Sequence, residues 1–556
     1  AGLICRVVDP DGVVEVVNSY NGRGQVVSQR SRFGRVSYYT YLPGNITQVA
    51  DGDGGRANTW IHDRHGRLVG MVDADGARQS VGWDRWGNRT LVTGRDGAVT
   101  VCRYDGRGRL VTRLEASGAR SDYEWDGLDR VVRVTVTDTT TSGAATGRTG
   151  TDTSTGSTGT VTGSGSGGAA GGAGGSGPAV TSYGYAGGDR NPSTVRDPCG
   201  GVSRLVWDRG LLVQVVDPAG VAVRLGYDGH GDLVSSTDGD GNVARLVRDR
   251  AGRVVAAVTP LGHRTEYRYD EAGRLVSRRD PDGAVWRWEY TAGGRLAGVV
   301  DPDGGRRRYG YGGHGERESY TDPLGGVVTS RWDDAGNLAG AVMPDGARWR
   351  YVHDGLGRLT GTVDPAGGLW RREYDVDGAL AATVDPTGVR RDWVTGGRGR
   401  VRTVSDGAAS ESVTTDGLGR VVVVTGDDGA DRATSYDLCG RPVGFVDGGG
   451  NTTRLVRDRA GRVTAVVRPS GAVTRYGYDV CGRLARVSDP AGGVACFVYD
   501  GDSRLVEEVR PGGERAWWSY DECGRVTARH VPGYGTTRYA YDRSGRVRGL
   551  ADPVCG

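Results

Sequence analysis

The chain contains no lysine at all: every one of its 71 basic side chains is arginine. Phenylalanine and methionine are almost missing, with 3 and 2 copies in 556 residues. So few large apolar side chains argue against three or four ordinary globular cores, which the length alone would suggest. No apolar run is long enough to cross a bilayer as a helix. The formal net charge is only +3 over the whole chain, so there is no electrostatic case for nucleic acid or a membrane surface. Cys-x-x-Cys, His-Glu-x-x-His, Gly-x-Ser-x-Gly and phosphate-loop patterns are missing too, and the seven histidines are scattered. The lack of lysine reads as GC-rich coding, since arginine codons are GC-rich and lysine codons are not.

What the chain has instead is glycine, 99 residues of it, placed periodically. Residues 475–492 show the unit. An aromatic-Asp pair, Tyr478-Asp479, opens a turn that closes on Gly482-Arg483. A short strand-like run follows, and then a second turn, Asp489-Pro490-Ala491-Gly492. The next pair, Tyr499-Asp500, lies one period later. The same phase gives Asn21, Asp63, Asp84, Asp105 and Asp126. It resumes near Tyr185 and passes Asp208, Asp228, Asp249, Asp270, Thr291, Gly312, Asp333, Asp354 and Asp375. It closes with Asp416, Asp437, Asp458, Asp479, Asp500, Asp521 and Asp542. Leu42 and Thr395 fall in degenerate copies, making about 24 copies in all.

Each copy has room for two strands and two turns. Before the Asp, aromatics alternate with Arg or small residues, as in Trp286-Arg287-Trp288-Glu289-Tyr290, which is the strand period. No helical period with caps occurs. The Asp binds nearby backbone N–H groups and the Gly supplies a positive φ; in the second turn Pro pre-sets the first corner. Asp63, Asp105, Asp249, Asp270, Asp354, Asp479, Asp500 and Asp542, with Gly252, Gly273, Gly357 and Gly482, are therefore expected to be turn-forming structural residues. About 48 short strands at ~4.8 Å would make an antiparallel strip on the order of 230 Å long. A twisted sheet of that length must curl. An all-β hollow shell follows, with an inner radius of roughly 16 Å if the whole strip closes, room for about one small domain.

Residues 137–179 are almost purely Thr, Gly, Ser and Ala, and read as a flexible linker or loop between shell segments 1–136 and 180–556. Both ends of the chain fall inside a repeat, so a fragment or processed piece of something longer is expected.

The Tyr-Asp-x-x-Gly-Arg-Leu unit alternating with Asp-Pro-x-Gly resembles the YD repeat of the Rhs family, over all but 137–179. Ten Asp-Pro pairs occur, among them Asp217-Pro218, Asp280-Pro281, Asp301-Pro302, Asp364-Pro365 and Asp489-Pro490. Bacterial Rhs proteins, the C component of insecticidal Tc toxins, wall-associated bacterial proteins and animal teneurins share this repeat. The resemblance implies a hollow, cocoon-like β-shell, which in the bacterial toxins encloses a C-terminal toxin domain released by autoproteolysis. The family's core-associated segment with its catalytic aspartates has no counterpart here, so no catalytic residue is assigned. The expected role is that of wall, not enzyme: a polymorphic-toxin shell segment, secreted or at the cell surface, with an enclosed toxin polypeptide as partner. The alternative is a surface protein holding carbohydrate or a protein through exposed aromatic rows.

Three constellations remain. Asp51-Gly52-Asp53 and Asp238-Gly239-Asp240-Gly241-Asn242 faintly resemble calcium loops, but both fall where a turn is due, so neither metal nor cofactor is expected. Cys439, Cys481 and Cys523 share one turn slot, two repeats apart. Four strands put neighbours in this series roughly 19 Å from each other, too far for disulfides unless the spiral folds them together. They read as tolerated turn residues. His62 and His353 stand where the aromatic before Asp belongs and read as repeat variants.

Overall fold

In the computed structural model, which describes residues 2–52, 57–140, 177–396 and 400–552, the chain is one antiparallel sheet of forty-nine strands. Every strand pairs with the strands before and after it in sequence, from Arg6–Val8 to Val547–Ala551. There is no helix among the described residues. The strands are five to eight residues long apart from the first, which matches the space between two turns of the repeat.

The two turns share one geometry. At Asp479 the backbone N–H bonds Arg483 O (2.9 Å) and Gly482 N–H returns to Asp479 O (3.0 Å). The Asp479 carboxylate caps the turn by accepting from the N–H groups of Cys481 (3.0 Å) and Arg483 (2.8 Å). Gly482 sits at φ 81°, the left-handed region, and a register shift follows between Gly477 and Tyr478. This is a type I turn with a glycine bulge, which adds local twist to each hairpin. The Asp-Pro-x-Gly turn repeats it: Asp489 Oδ1 accepts from Ala491 (2.9 Å) and Gly493 (2.8 Å).

Cross-strand bonding passes directly over the Thr/Gly/Ser-rich stretch. Strand Val131–Asp138 pairs with strand Ala179–Tyr185, Val136 opposite Ala179. The sheet is therefore continuous from one shell segment to the other. Most of 137–179 lies outside the described residues.

The strip winds upon itself. Its Asp-Pro-x-Gly edge, from Asp11 to Asp303, meets the Tyr-Asp edge of the chain from Thr291 onward. In the second half the hydrogen bonds span 240 to 243 residues, among them Leu261 N–H to Asp502, Arg483 to Asp240, and Ser544 N–H to Asp303. In the first half most span 279 to 286, among them Gly293 N–H to Asp11, Arg358 to Asp75, and Gly417 N–H to Asp138. The difference of about 40 residues equals the length of chain between Asp138 and Ala179. Counted in strands the winding is constant. The seam joins the turn before Val14–Tyr20 to the turn after Val285–Tyr290, and the turn before Val243–Arg248 to the turn after Val473–Tyr478. Each interval holds 23 strands. At ~4.8 Å per strand that is a circumference of ~110 Å and a radius near 18 Å. The sheet thus makes just over two turns.

A wall of one sheet leaves both faces wet. The chain exposes 33358 Å², against ~19,000 Å² for a compact monomer of 58.6 kDa. The undescribed residues could add at most ~8,000 Å² even fully extended, so most of the excess is the second face of the wall. Among the described residues the only buried apolar side chains are Val13, Ala256, Ala284, Ala382 and Ala516, all small. Ala256 and Ala382 sit mid-strand beneath a longer neighbour, Val247 and Glu373 respectively. Among the described residues, then, full burial of apolar side chains is confined to these few small ones.

Candidate functional site

The repeating corner is the smallest working part. Within it the aromatic before Asp is a hydrogen-bond donor aimed at the preceding repeat. Tyr478 Oη donates to Val463 O (2.7 Å), Tyr499 to Leu484 O (2.8 Å) and Tyr269 to Val254 O (2.8 Å). Other residue types fill the slot by doing the same. Trp125 Nε1 donates to Leu110 O (2.8 Å) and Trp207 to Pro192 O (2.9 Å). Arg248 reaches Leu233 O (3.0 Å) and Arg457 reaches Pro442 O (2.7 Å). The slot selects a long, flat side chain with a donor at its tip, which is why arginine can stand where tyrosine usually does. Sequence periodicity marked the slot as aromatic; the Val-Arg-Asp copies at 248 and 457 were the available hint that donation is what matters.

The arginine of Gly-Arg makes three contacts. Arg483 N–H and Nε bind the two oxygens of Asp479, the latter at 2.7 Å. Its guanidinium also lies 4.8 Å from the ring centre of Tyr499, in the next repeat. Arg462 over Tyr478 (4.6 Å), Arg253 over Tyr269 (5.1 Å) and Arg525 over Tyr541 (5.1 Å) repeat this. A lysine could supply charge but not a fork and a plane together. The missing lysines, read from sequence as coding bias, thus have a structural reason at these positions.

Bonds of this kind lower several of the other turn carboxylates. The Arg67 backbone and guanidinium and the His65 N–H outweigh desolvation and lower Asp63 to about 2. Asp105 and Asp249 are lowered chiefly by the side chains of Arg109 and Arg253, and Asp270 chiefly by the backbone N–H of Arg274. For Asp354 and Asp542 desolvation opposes, and the bonds from Arg358 and Arg546 prevail.

Winding divides the twelve expected turn residues into two groups. Asp63, Asp105, Asp249, Asp270, Gly252 and Gly273 lie on the Tyr-Asp edge of the first winding, at one rim. Asp354, Asp479, Asp500, Asp542, Gly357 and Gly482 lie on the seam. There Arg358 meets Asp75 (3.3 Å), Arg483 meets Asp240 (2.7 Å) and Arg546 meets Asp303 (3.3 Å). Beside Asp500, the Asp502 carboxylate accepts from Thr259 Oγ1 (2.9 Å) and Leu261 N–H (3.0 Å). Arg525 meets Asp282 (2.8 Å), and Arg295 bridges Asp9 and Asp11. The windings approach closely: a Cβ on Gly239 would fall 2.4 Å from Val480 O, whereas one on Gly229, at the rim, meets nothing within 4 Å. The sequence held both edges of this seam, but their pairing depends on how far the sheet curls.

The remaining constellations take structural places. Asp238 Oδ1 accepts from Asp240 N–H (3.0 Å) and Asn242 N–H (2.9 Å), as a turn aspartate does. Asp51 is paired toward Arg35 (4.0 Å), and Asp53 lies outside the described residues. Cys439, Cys481 and Cys523 do not face one another. Each faces the first winding: Cys481 Sγ–H donates to Asp240 (3.2 Å), Cys523 lies against Asp282, and Cys439 lies against Cys199. Desolvation first, and then the Asp240 contact, push the Cys481 thiol up to about 11. His314 lies tilted against Phe33 across the seam (6.1 Å between ring centres), while the Nδ1 of His353 has no hydrogen-bond partner.

Comparison with known proteins agrees with this architecture. The family described as RHS Repeat matches residues 62–99, 104–141, 207–243, 248–285, 269–306, 332–369, 353–390 and 457–494. No curated protein sequence matches. Among solved structures, one described as TcdB2-TccC3 superposes with a TM-score of 0.51 at 12% identity. It covers 97% of this chain and 37% of its own. A second, TcdB2-TccC3-Cdc42, gives 0.50 at 13%, covering 97% and 36%. At such identities the likeness is one of fold, and this chain spans little more than a third of either relative.

Proposed function

Because the chain belongs to the RHS-repeat (YD-repeat) family, we propose that it is a wall segment of an Rhs-type toxin shell, enclosing a toxin polypeptide until delivery to a competing cell. The observation that carries this reading is the seam. Two windings of a single-layer sheet lock edge to edge around a space ~18 Å in backbone radius. Inward side chains take up ~5 Å of that, half the spacing of packed sheets, and leave a lumen ~13 Å in radius, comparable with the radius of gyration of a compact domain of about 100 residues. Nothing else in the wall calls for two solvated faces. The mechanism is steric. The internal strands are paired on both sides, so only the first and last strands of the described sheet, Arg6–Val8 and Val547–Ala551, offer an edge for a protease to pair with. Such a shell works outside the cell that makes it, secreted or displayed at the surface. In this reading the wall itself carries out no catalysis.

The carbohydrate-binding alternative draws less support. The aromatics directly before the turn aspartates spend their hydroxyl and indole donors on the wall itself, and several also give one ring face to an arginine. Singly exposed rings such as Trp86 and Tyr534 are what remains for a ligand.

The test is protease challenge of the protein carrying this wall, beside a variant whose seam is forced apart by Gly239→Ala. A polypeptide distinct from the wall should survive digestion in the first and be lost in the second. If no such polypeptide is retained, or both are digested at the same rate, enclosure is wrong.

A further inference from the structure

The seam has a repeating clasp, and at one place its chemistry changes. The third residue of an Asp-x-x-Gly turn in the first winding faces the Gly-Arg corner of the second. Where that residue is Asp240, Asp282 or Asp303, its carboxylate pairs with Arg483, Arg525 or Arg546. Two positions earlier along the seam, beyond the Asp217-Pro218-Ala219-Gly220 turn, stands Cys199, in Asp197-Pro198-Cys199-Gly200. A carboxylate clasp cannot form there. Facing Cys199 is Cys439, the thiol that in the next two corners of this series is Cys481 or Cys523, each lying against a carboxylate. The ligand atoms of Asp197, Cys199 and Cys439 all lie within 4.8 Å of one another. Arg441, held by Asp437 at 2.8 Å, also reaches the Cys199 thiol. The flanking backbone is in close contact: a Cβ on Gly201 would fall 2.5 Å from Arg459 O. The two turns are thus registered from both sides before any bond forms.

We propose that Cys199 and Cys439 form a disulfide that staples the two windings together. The pair replaces an electrostatic clasp by a covalent one, at the same place in the repeat. The oxidant is a small disulfide or a disulfide-carrying oxidoreductase, met on the oxidising side of a membrane. Cys199, the exposed member, attacks one sulfur of that disulfide and displaces its partner as a thiol. Cys439 then gives up its proton and attacks the Cys199 sulfur, releasing the second small thiol. Two protein thiols become one S–S bond, and the electron pair leaves with the two reduced small thiols. Burial first, and the Cys199 contact second, push the Cys439 thiol up to about 12, so the closing step is slow near neutral pH and faster in alkali. The staple would be a redox-addressed latch: closed outside the cell and opened by a reducing interior.

The experiment incubates the folded chain with oxidised glutathione and maps the peptides without reduction. The expected result is one cross-linked species joining Cys199 to Cys439, reversed by dithiothreitol, while Cys102 and Cys496 remain alkylatable. Amide exchange at residues 197–201 and 437–441 should slow at least tenfold on oxidation. Cys199→Ser should abolish both effects. Cys199→Asp should restore the carboxylate clasp to Arg441, slowing exchange equally with and without oxidant, and so guards against a variant that merely misfolds. If both thiols stay titratable in the native shell under oxidant, the proposal fails. It also fails if the reduced protein retains zinc at these residues and no disulfide forms, which would make the cluster a cation site.

Discussion

Tyr478, Arg462 and Asp479 show how one residue serves three neighbours in this wall. The tyrosine ring receives a guanidinium, its hydroxyl closes on the previous repeat, and the next residue builds the turn. Removing only the hydroxyl, in Tyr478→Phe, should cost about 1 kcal/mol, since Val463 O is half-buried and loses a donor. Tyr478→Trp should cost less, because tryptophan makes the same bond at 83, 125 and 207. Local amide exchange around Val463 would read the difference, and equal losses would show that ring packing, not donation, decides the slot. Ser503 offers the opposite case. It occupies the glycine position of its turn at φ 62°, in the left-handed region that a side chain disfavours. Ser503→Gly should stabilise the corner by about 1 kcal/mol, less the bond its hydroxyl accepts from Arg483. Thermal unfolding of the two variants side by side would measure both signs.

At the scale of hairpins, the period decides what can be removed. Val136 pairs directly with Ala179 across the strand ladder. Replacing 141–176 with a short turn should therefore leave the melting temperature within the scatter of the wild type, and a loss of cooperative melting would mean the stretch takes part in the fold. Gly239→Ala should destabilise by about 1–3 kcal/mol through overpacking against a backbone carbonyl that cannot rotate away. Gly229→Ala, a turn glycine of the same kind at the rim, should be neutral or slightly stabilising. Denaturant melts of the pair separate seam contact from glycine chemistry. The turns themselves were legible in the sequence, because Asp, Gly and Pro act within five residues. The seam was not, since a contact 241 residues away depends on curvature accumulated over 23 strands.

For the molecule as a whole, the lack of a large dry core moves stability onto charged corners. Asp63, Asp105, Asp249 and Asp270 have folded values below the usual carboxylate value of about 3.9. So do the seam residues Asp11, held down chiefly by the Gly293 N–H, and Asp303, which Ser544 and the Arg543 N–H hold down. A depressed folded value contributes stability that is complete above the unfolded value and is lost as pH falls through the folded one. The shell should therefore keep its melting temperature from neutral pH down to about 4 and lose it progressively toward pH 2, where Asp63 itself protonates. Circular dichroism melts across that range, with scattering to follow expansion, would check it; constant stability to pH 2 would place the fold's support in the backbone ladder alone.

Sequence by itself determined the strand, the corner, the period and hence the strip, because each arises from residues within one 21-residue copy. It also implied curling, since a twisted sheet of this length cannot stay flat. Only the tertiary structure decided that 23 strands make a turn, that the strip overlaps itself in two windings, and which corners lie at the rim and which at the seam. The physical reason is that small twists add along the whole strip, so an error too small to see in one hairpin changes which residues meet two dozen strands later. Cys199 and Cys439 are the clearest instance: in the sequence they are two turn residues in separate repeats, and in the shell they face each other.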